Sequence, residues 1–373
     1  MIVKLADHIV TPLAEGTGEN YRRVKRGESM LRRYDGWQGV PEPFTASLFA
    51  ANELCGNDRF TRFEQLCIRS IDGALDQLAL DPAHNRVLFI FSTTKGNVEL
   101  LNPAEGTRYA RERVLLGESA RVIARHYGNY VMPVVVSNAC TSGVCALIAG
   151  MRALQSGRCD YAIVTGCDVQ SPFIVSGFQS FKALDPDVCR PFDATRAGLN
   201  LGEAAATMVL SRAERSQGRW TVVRGAIRND ANHISGPSRT GEGSYRALRA
   251  ALGDFPAERL AVVNVHGTAT SYNDEMESIA LARAGVSAVP VNSLKGYFGH
   301  TMGAAGVLES AITMSAIDDA TVLATRGYNT SGVSCEVSVD AANRPTDRTA
   351  FVKLLSGFGG CNAALLFQKG GDA

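Results

Sequence analysis

Apolar and polar positions along the chain switch repeatedly between two periods. From Arg59 to Leu80, residues Phe63, Leu66, Cys67, Ile68, Ile71, Ala74, Leu75 and Leu78 follow a helical spacing and predict a helix. Arg86 to Phe91 is a short apolar run and predicts a buried strand. The alternation goes on with a helix near Glu112 to Arg125, a strand at Tyr130 to Val136, a small-residue helix from Cys140 to Ser156, and a strand at Tyr161 to Thr165. A Gly- and Asp-rich stretch reads as loop as far as Gly202. A strand at Ala205 to Leu210 and a polar joint at Ser211 to Arg219 follow. Beyond the joint come strands at Ala261 to Val265 and Val289 to Asn292, helices at Asp274 to Ala284 and Met302 to Ile317, and strands near Val333 and at Ala350 to Leu355. Residues 1 to 60 show no regular period. Strands alternating with helices predict α/β layers. No short repeat or Pro-rich linker interrupts the pattern, so two halves, 1–215 and 216–373, are expected to pack as one body.

Composition narrows the class. A chain of 373 residues, 45% hydrophobic, exceeds the roughly 250 to 300 residues over which one core grows, which again favours two halves. The formal net charge of +1 leaves no global field for nucleic acid or an anionic membrane. A basic cluster (Arg22, Arg23, Lys25, Arg26, Arg32, Arg33) reads as a solvated face or a docking surface, and general surface composition favours the first. The nine cysteines form no CxxC pair and no zinc-type spacing, which predicts reduced thiols and a cytoplasmic location. The N-terminal sequence lacks the basic segment and apolar core of an export signal. Residues 127 to 151 carry no Asp, Glu, Lys or Arg, yet Pro133 and the polar run Ser137-Asn138-Ala139-Cys140-Thr141-Ser142-Gly143 suit a strand-turn-helix better than a membrane span.

Three side chains stand out chemically. Cys140 falls at a predicted strand-to-helix turn, where free N–H groups and the helix dipole favour a thiolate; a small buried structural cysteine is the competing reading. His266 ends an apolar strand and His300 sits in Gly299-His300-Thr301-Met302-Gly303-Ala304-Ala305-Gly306, both at the strand-loop junctions where α/β proteins face their ligands. A cysteine nucleophile with two histidines and no third metal ligand at recognisable spacing points to acyl transfer, with Gly357-Phe358-Gly359-Gly360 a flexible backbone able to offer an N–H to an oxyanion.

Taken in order, Val10-Thr11-Pro12-Leu13, Asn138-Ala139-Cys140-Thr141-Ser142, Arg190-Pro191-Phe192-Asp193 with Arg196, Gly202-Glu203-Ala204-Ala205, His266-Gly267-Thr268 with Asn273, Asp274 and Glu277, Lys295 with Gly299-His300, and Gly357-Phe358-Gly359-Gly360 resemble the elongating β-ketoacyl-acyl carrier protein synthases of the thiolase superfamily over residues 8 to 367. The resemblance implies a thiolase fold, two similar halves in five αβαβα layers. It also implies decarboxylative condensation of an enzyme-bound acyl chain with malonyl carried on acyl carrier protein, in type II fatty acid or polyketide and polyene biosynthesis. By the same resemblance, Cys140 attacks the acyl thioester and the N–H groups of Cys140 and Phe358 form the oxyanion hole. His266 and His300 donate from Nε2 to the malonyl carbonyl, Lys295 holds the network with Glu277 as its ion-pair partner, and Phe358 gates access. No metal or other cofactor is implied. The partners implied are acyl carrier protein and a second subunit, in a homodimer or a heterodimer with a chain-length factor.

Some positions depart from the common family pattern. Leu199 stands where many relatives have Phe on the acyl-pocket segment, Thr94 falls where relatives set chain length across the dimer, and Cys361 replaces the usual Thr. The chain is also shorter than most members, which predicts a smaller cap and a more open site, and motivates a specialised role. Two other readings compete. A catalytically inert chain-length-factor subunit would lack the nucleophile that this chain retains. A thiolase-type acyltransferase predicts neither Lys295 nor the Gly-His context of His300.

Overall fold

The computed structural model describes residues 1–373 apart from 55, 58, 103–107, 217, 372 and 373. The first half runs β1 (Ile2–Val10), α1 (Thr17–Lys25), β2 (Arg32–Tyr34), β3 (Phe44–Ser47), α2 (Arg62–Leu75), β4 (Val87–Ser92), α3 (Leu116–His126), β5 (Val134–Val136), α4 (Ser142–Gln155), β6 (Tyr161–Asp168), α5 (Pro172–Ser180), β7 (Leu201–Gly202) and β8 (Ala204–Arg212). The second runs β9 (Trp220–Asn229), α6 (Glu242–Leu252), β10 (Leu260–Asn264), α7 (Ser271–Ala284), β11 (Pro290–Asn292), α8 (Lys295–Phe298), α9 (Ala305–Asp318), β12 (Thr321–Val322), β13 (Ser338–Val339), β14 (Arg344–Pro345), β15 (Ala350–Gly357) and β16 (Cys361–Lys369).

Eleven strands form one sheet in the order β13-β11-β10-β15-β16-β9-β1-β8-β6-β4-β5, and the halves meet at the single Cα pair Val3–Thr221. Read outward from that seam, the first half gives β1, β8, β6, β4, β5 and the second gives β9, β16, β15, β10, β11, with β13 added at its outer edge. Over these five shared strands both series run through two antiparallel and then two parallel pairings, and β13 extends the second by one further parallel pairing. In chain order each reads first, last, fourth, second, third, so the two halves repeat one topology. Helices α2 and α3 cover the first half-sheet and α6 and α7 the second, while α4 and α9 lie between them. The result is the five-layer α-β-α-β-α arrangement.

The middle layer follows from composition. In α9 nearly every residue is buried, and α4 is buried on all sides but a few positions, so neither has a polar face to give to solvent. They touch where neither carries a side chain. A Cβ on Gly143 would stand 2.8 Å from Gly306 N, and one on Gly306 would stand 2.3 Å from Val144 N. That contact sets the distance between the two half-domains.

Several expectations change. Residues 1 to 60 are not irregular: β1 runs through the seam, and α1 packs near α9 through Tyr21 and Asp319. The predicted helix at 59–80 begins at Arg62 because Thr61 and Glu64 form a reciprocal capping box. The predicted strand at 130–136 shrinks to Val134–Val136, since Pro133 lacks an N–H for the ladder and restrains Met132; Tyr130 and Met132 are exposed. The presumed loop before Gly202 contains α5, started by Pro172. Val333 lies outside any strand, the nearby strand being Ser338–Val339. The strand β9 and helix α6 were not marked by their periodicity. The basic cluster is largely paired on the surface: Arg22 with Glu19, Arg23 and Arg26 with Glu28, and Lys25 with Asp319. The eight described cysteines are free; Cys55 lies outside the described residues. No helix among the described residues is long and apolar enough to cross a membrane.

The helix crossing yields a test. Replacing Gly306 with Ala adds helix propensity of about 1 kcal/mol, but its Cβ would collide with the backbone of α4. Overpacking of this kind costs about 3 kcal/mol, so Gly306→Ala is expected to lower the melting temperature by several degrees. An unchanged or raised melting temperature in calorimetry would contradict the close crossing.

Candidate active site

Cys140 sits on a sharp elbow between β5 and α4. Ala139 is driven to φ +45°, a conformation that a residue with a side chain rarely adopts. The turn is held by Thr141 N–H donating to Asn138 O at 3.2 Å, Ser142 N–H to Ala139 O at 3.2 Å, and Asn138 N–H to Ser142 Oγ at 2.8 Å. The strained elbow lifts the thiol toward the sheet's C-terminal edge, where only 7% of the residue is exposed. Gly357 packs against it, with its would-be Cβ 3.1 Å from Cys140 N, and the backbone N–H of Phe358 donates to the sulfur. Helix position alone predicts an acidified thiol, but burial pushes it up to about 11; Lys295, Lys95 and the Phe358 N–H offset only part of that. Cys140 therefore rests as a thiol and ionises as it reacts.

His300 stands at the matching place in the other half. The segment from β11 through α8 to α9 repeats the path from β5 through the elbow to α4, so the duplicated topology delivers one reactive group from each side. Its backbone is clamped by His300 N–H to Asn200 O at 2.7 Å and Gly202 N–H to His300 O at 3.0 Å. Nδ1 accepts the Met302 N–H at 3.3 Å, which puts the ring proton on Nε2, and Nε2 has no partner among the described residues. His266 follows β10, with its backbone N–H held by Glu277 at 2.8 Å and its buried Nδ1 unpartnered among the described residues. The two rings meet edge to face at 4.9 Å, and the Cys140 sulfur and one nitrogen of each ring lie within 4.8 Å of one another. Thiolate with two imidazoles is also a zinc-type donor set, though ligands about 2.0–2.3 Å from zinc sit closer together than this spread.

A buried charge network surrounds the trio, and here the expected pairing is corrected. Lys295 does not pair with Glu277; its Nζ is 2.5 Å from Glu309 Oε1. Glu277 instead accepts backbone N–H from His266 at 2.8 Å and Gly267 at 2.7 Å, and Asn273 Nδ2 at 2.8 Å. It thus shapes the turn that presents His266. Burial, with the nearby Asp274 charge, pushes its carboxyl up to about 7. Glu309 takes a second ammonium, Lys353 Nζ at 2.5 Å. Burial alone would raise the Glu309 carboxyl, but the two lysines outweigh it and hold it below its ordinary value. Both imidazoles are held well below the ordinary histidine range, chiefly by burial and then by the Lys295 charge.

Sequence reasoning missed Glu309, Lys353 and the pair Lys95–Asp168. A usable signal existed for the first two. Glu309 is the only charged residue between Met302 and Ile317, and Lys353 interrupts the apolar run Ala350 to Leu355. One charge in a segment predicted to be buried demands a partner. Above the trio opens a cavity of about 900 Å³. Leu199 lines it, as do Phe178, Phe181 and Phe358; the Phe178 ring lies tilted against Phe358 at 5.9 Å and the Phe181 ring meets it edge to face at 5.4 Å. Thr94 is not among its lining residues; its hydroxyl donates to Asp168 Oδ2 at 2.9 Å. Cys361 donates to Asn138 Oδ1 at 2.9 Å, behind the elbow.

Fold and site together define a thiolase-fold enzyme with a Cys-His-His centre. The family model described as Beta-ketoacyl synthase, N-terminal domain, matches residues 15–216, and that described as Beta-ketoacyl synthase, C-terminal domain, matches 220–329. The chain belongs to the beta-ketoacyl synthase family, acyltransferases that form carbon–carbon bonds. It is 31% identical over 346 residues to the tetracenomycin polyketide synthase ketoacyl synthase alpha subunit of Streptomyces glaucescens, covering 84% of this chain and 81% of that one. It is 33% identical over 247 residues to nodulation protein E of Rhizobium meliloti, 63% of this chain and 61% of that one. Among solved structures, a ketosynthase of Xenorhabdus doucetiae in complex with its chain length factor superposes with a TM-score of 0.90 at 23% identity, over 99% of this chain and 98% of that one. A beta-ketoacyl synthase of Burkholderia phymatum gives 0.88 at 24%, over 99% of both chains. The compact length is therefore shared with at least these two structures.

Burial keeps both imidazoles neutral, and protonation sets in only as the pH falls below the ordinary value of 6.5. Turnover is expected to stay level from about pH 8 down to about pH 6.5 and to decline only below that. An acid limb centred at or above 6.5 in the pH–rate profile would contradict the buried, neutral pair.

Proposed function

We propose that this protein is the active ketosynthase of a type II fatty acid or polyketide system, working in the cytoplasm on acyl groups delivered by acyl carrier protein. The observation that carries this reading is the convergence of Cys140, His266 and His300 within 4.8 Å beneath a cavity of about 900 Å³. In the first half-reaction the Cys140 sulfur attacks the acyl thioester carbonyl. The oxyanion is received by the N–H groups of Cys140 and Phe358, the carrier C–S bond breaks, and the proton lost by Cys140 leaves with the carrier thiol. In the second, a malonyl thioester replaces the acyl carrier. Its carbonyl oxygen accepts from both imidazoles, carbon dioxide departs, and the enolate carbon attacks the acyl carbonyl on Cys140. The C–S bond breaks, Cys140 takes up a proton, and the carrier leaves with a β-ketoacyl chain longer by two carbons. Donors aimed at an oxygen that becomes anionic only during reaction lower the barrier without tightening the ground state.

The phosphopantetheine arm belongs to the carrier, and the enzyme's own side chains supply the catalysis without a cofactor. Phe178 and Phe181, packed against Phe358, would hold the gate between the two half-reactions, and Leu199 would bound the acyl end of the cavity. A dimer, with a second copy or with a related chain-length factor, is supported by β5 at the edge of the sheet beside Tyr130 and Met132, which are 83% and 61% exposed. An inert chain-length-factor role is disfavoured by the intact trio.

Incubation with acyl carrier protein bearing a saturated acyl group should place an acyl adduct on the Cys140 peptide, read by mass spectrometry. Cys140→Ala should lose the adduct and slow condensation by more than about a thousandfold. Absence of any adduct on the unmodified enzyme would overturn the reading.

A further inference from the structure

Two lysines share one carboxylate behind the histidines, and the reaction steps assign no role to the second. Lys353 lies on β15 and is fully buried. Its Nζ is 2.5 Å from Glu309 Oε2, 3.1 Å from Val265 O and 3.4 Å from Asn264 O, so each of its three N–H donors has an acceptor. Those two carbonyls are the last before His266. The other oxygen of Glu309 holds Lys295, and β15 itself runs on to Gly357 and Phe358. One ammonium thus joins the strand that carries the oxyanion-hole loop, the strand end that carries His266, and the helix α9 that follows His300.

Packing does not explain this choice. Burying an ammonium costs several kcal/mol before its partners repay it, and Leu or Met would fill the same space without that cost. Glu309 already has Lys295, so Lys353 is a surplus positive charge there. The matching surplus is Glu277, whose contacts are N–H donors rather than a cation. The group beside His266 thus holds two lysines and two carboxyl groups.

We infer that Lys353 is a positioning residue of the malonyl half-reaction, its ammonium fixing the end of β10 that presents His266 and bracing the Glu309–Lys295 pair. This rests on the ketosynthase reading. The groups that face His266 are His300, Lys295 of α8, Lys353 of β15 and Glu277 of α7, with the Cys140 thiol across the site. Of these, Lys295, His300 and Lys353 oppose a charge on the ring, in that order after burial itself. Removing Lys353 therefore makes the imidazole easier to protonate.

Lys353→Met and Lys353→Gln, compared with the parent, test the inference through three readouts: acylation of Cys140, decarboxylation of malonyl carrier protein, and the pH profile of decarboxylation. For Lys353→Met, kcat for decarboxylation is expected to fall at least about tenfold, with KM for malonyl carrier within about twofold and acylation within about threefold. Its acid limb should move to higher pH. Lys353→Gln keeps an N–H for the carbonyls but not the charge, so it should recover part of kcat while the acid limb stays displaced. Parent-like decarboxylation with an unmoved acid limb overturns the inference, as does an equal loss in acylation and decarboxylation. If neither variant shows a cooperative thermal transition, Lys353 is a folding residue and the inference is likewise overturned. A parent that neither acylates nor decarboxylates overturns the ketosynthase reading itself, whereas an active parent matched by both variants overturns the role of Lys353 alone.

Discussion

The contact between Gly143 and Gly306 governs the rest of the molecule. Each glycine is the second residue of one of the two central helices, and the backbones approach so closely that a single Cβ would overlap the opposite helix. The duplicated topology puts Cys140 just ahead of one helix and His300 just ahead of the other. Bringing the helix starts together therefore brings the two reactive groups together, with no further device. A wider crossing would leave both half-domains intact and the site unformed. The strained backbone at Ala139 belongs to the same constraint, because a relaxed elbow would turn the sulfur away from the seam.

Around that seam, burial is the largest influence on the protonation states, with the nearby lysine charges next. The thiol is pushed up to about 11 although it precedes a helix, and both imidazoles are kept neutral by desolvation reinforced by lysine. A low dielectric makes each of these effects large and makes an unpaired charge expensive. The side chains nearby respond by pairing in closed groups: Lys295 and Lys353 with Glu309, and Lys95 with Asp168, 3.8 Å apart. Glu277 is the exception in form, a carboxylate satisfied by backbone N–H donors that turns its charge into geometry for His266.

Much of this was legible in the residues. The period switches located most central strands and helices, and the ordered set of motifs singled out Cys140, His266, His300, Lys295 and Phe358. The strand β1 escaped notice because Lys4, Asp7 and His8 break its apolar run, and α5 because Gly and Asp around it resemble loop. The partner of Lys295 was misassigned to Glu277, which lies 18 positions before it in the chain, whereas the true partner Glu309 lies 14 positions after it on the helix beyond His300. Spacing along the chain cannot rank those two, since ion pairs form across a fold and not along a strand.

What the sequence determined by itself was the alternation of elements, the candidate site residues and the family to which the chain belongs, because hydrophobic period and residue chemistry are local properties. What only the tertiary structure decided was which charges meet, which way the sulfur's acidity moves, and that Lys353 completes the network behind His266. Those outcomes depend on burial and on distances between segments far apart in the chain, and both come into being only when the two halves close on one another.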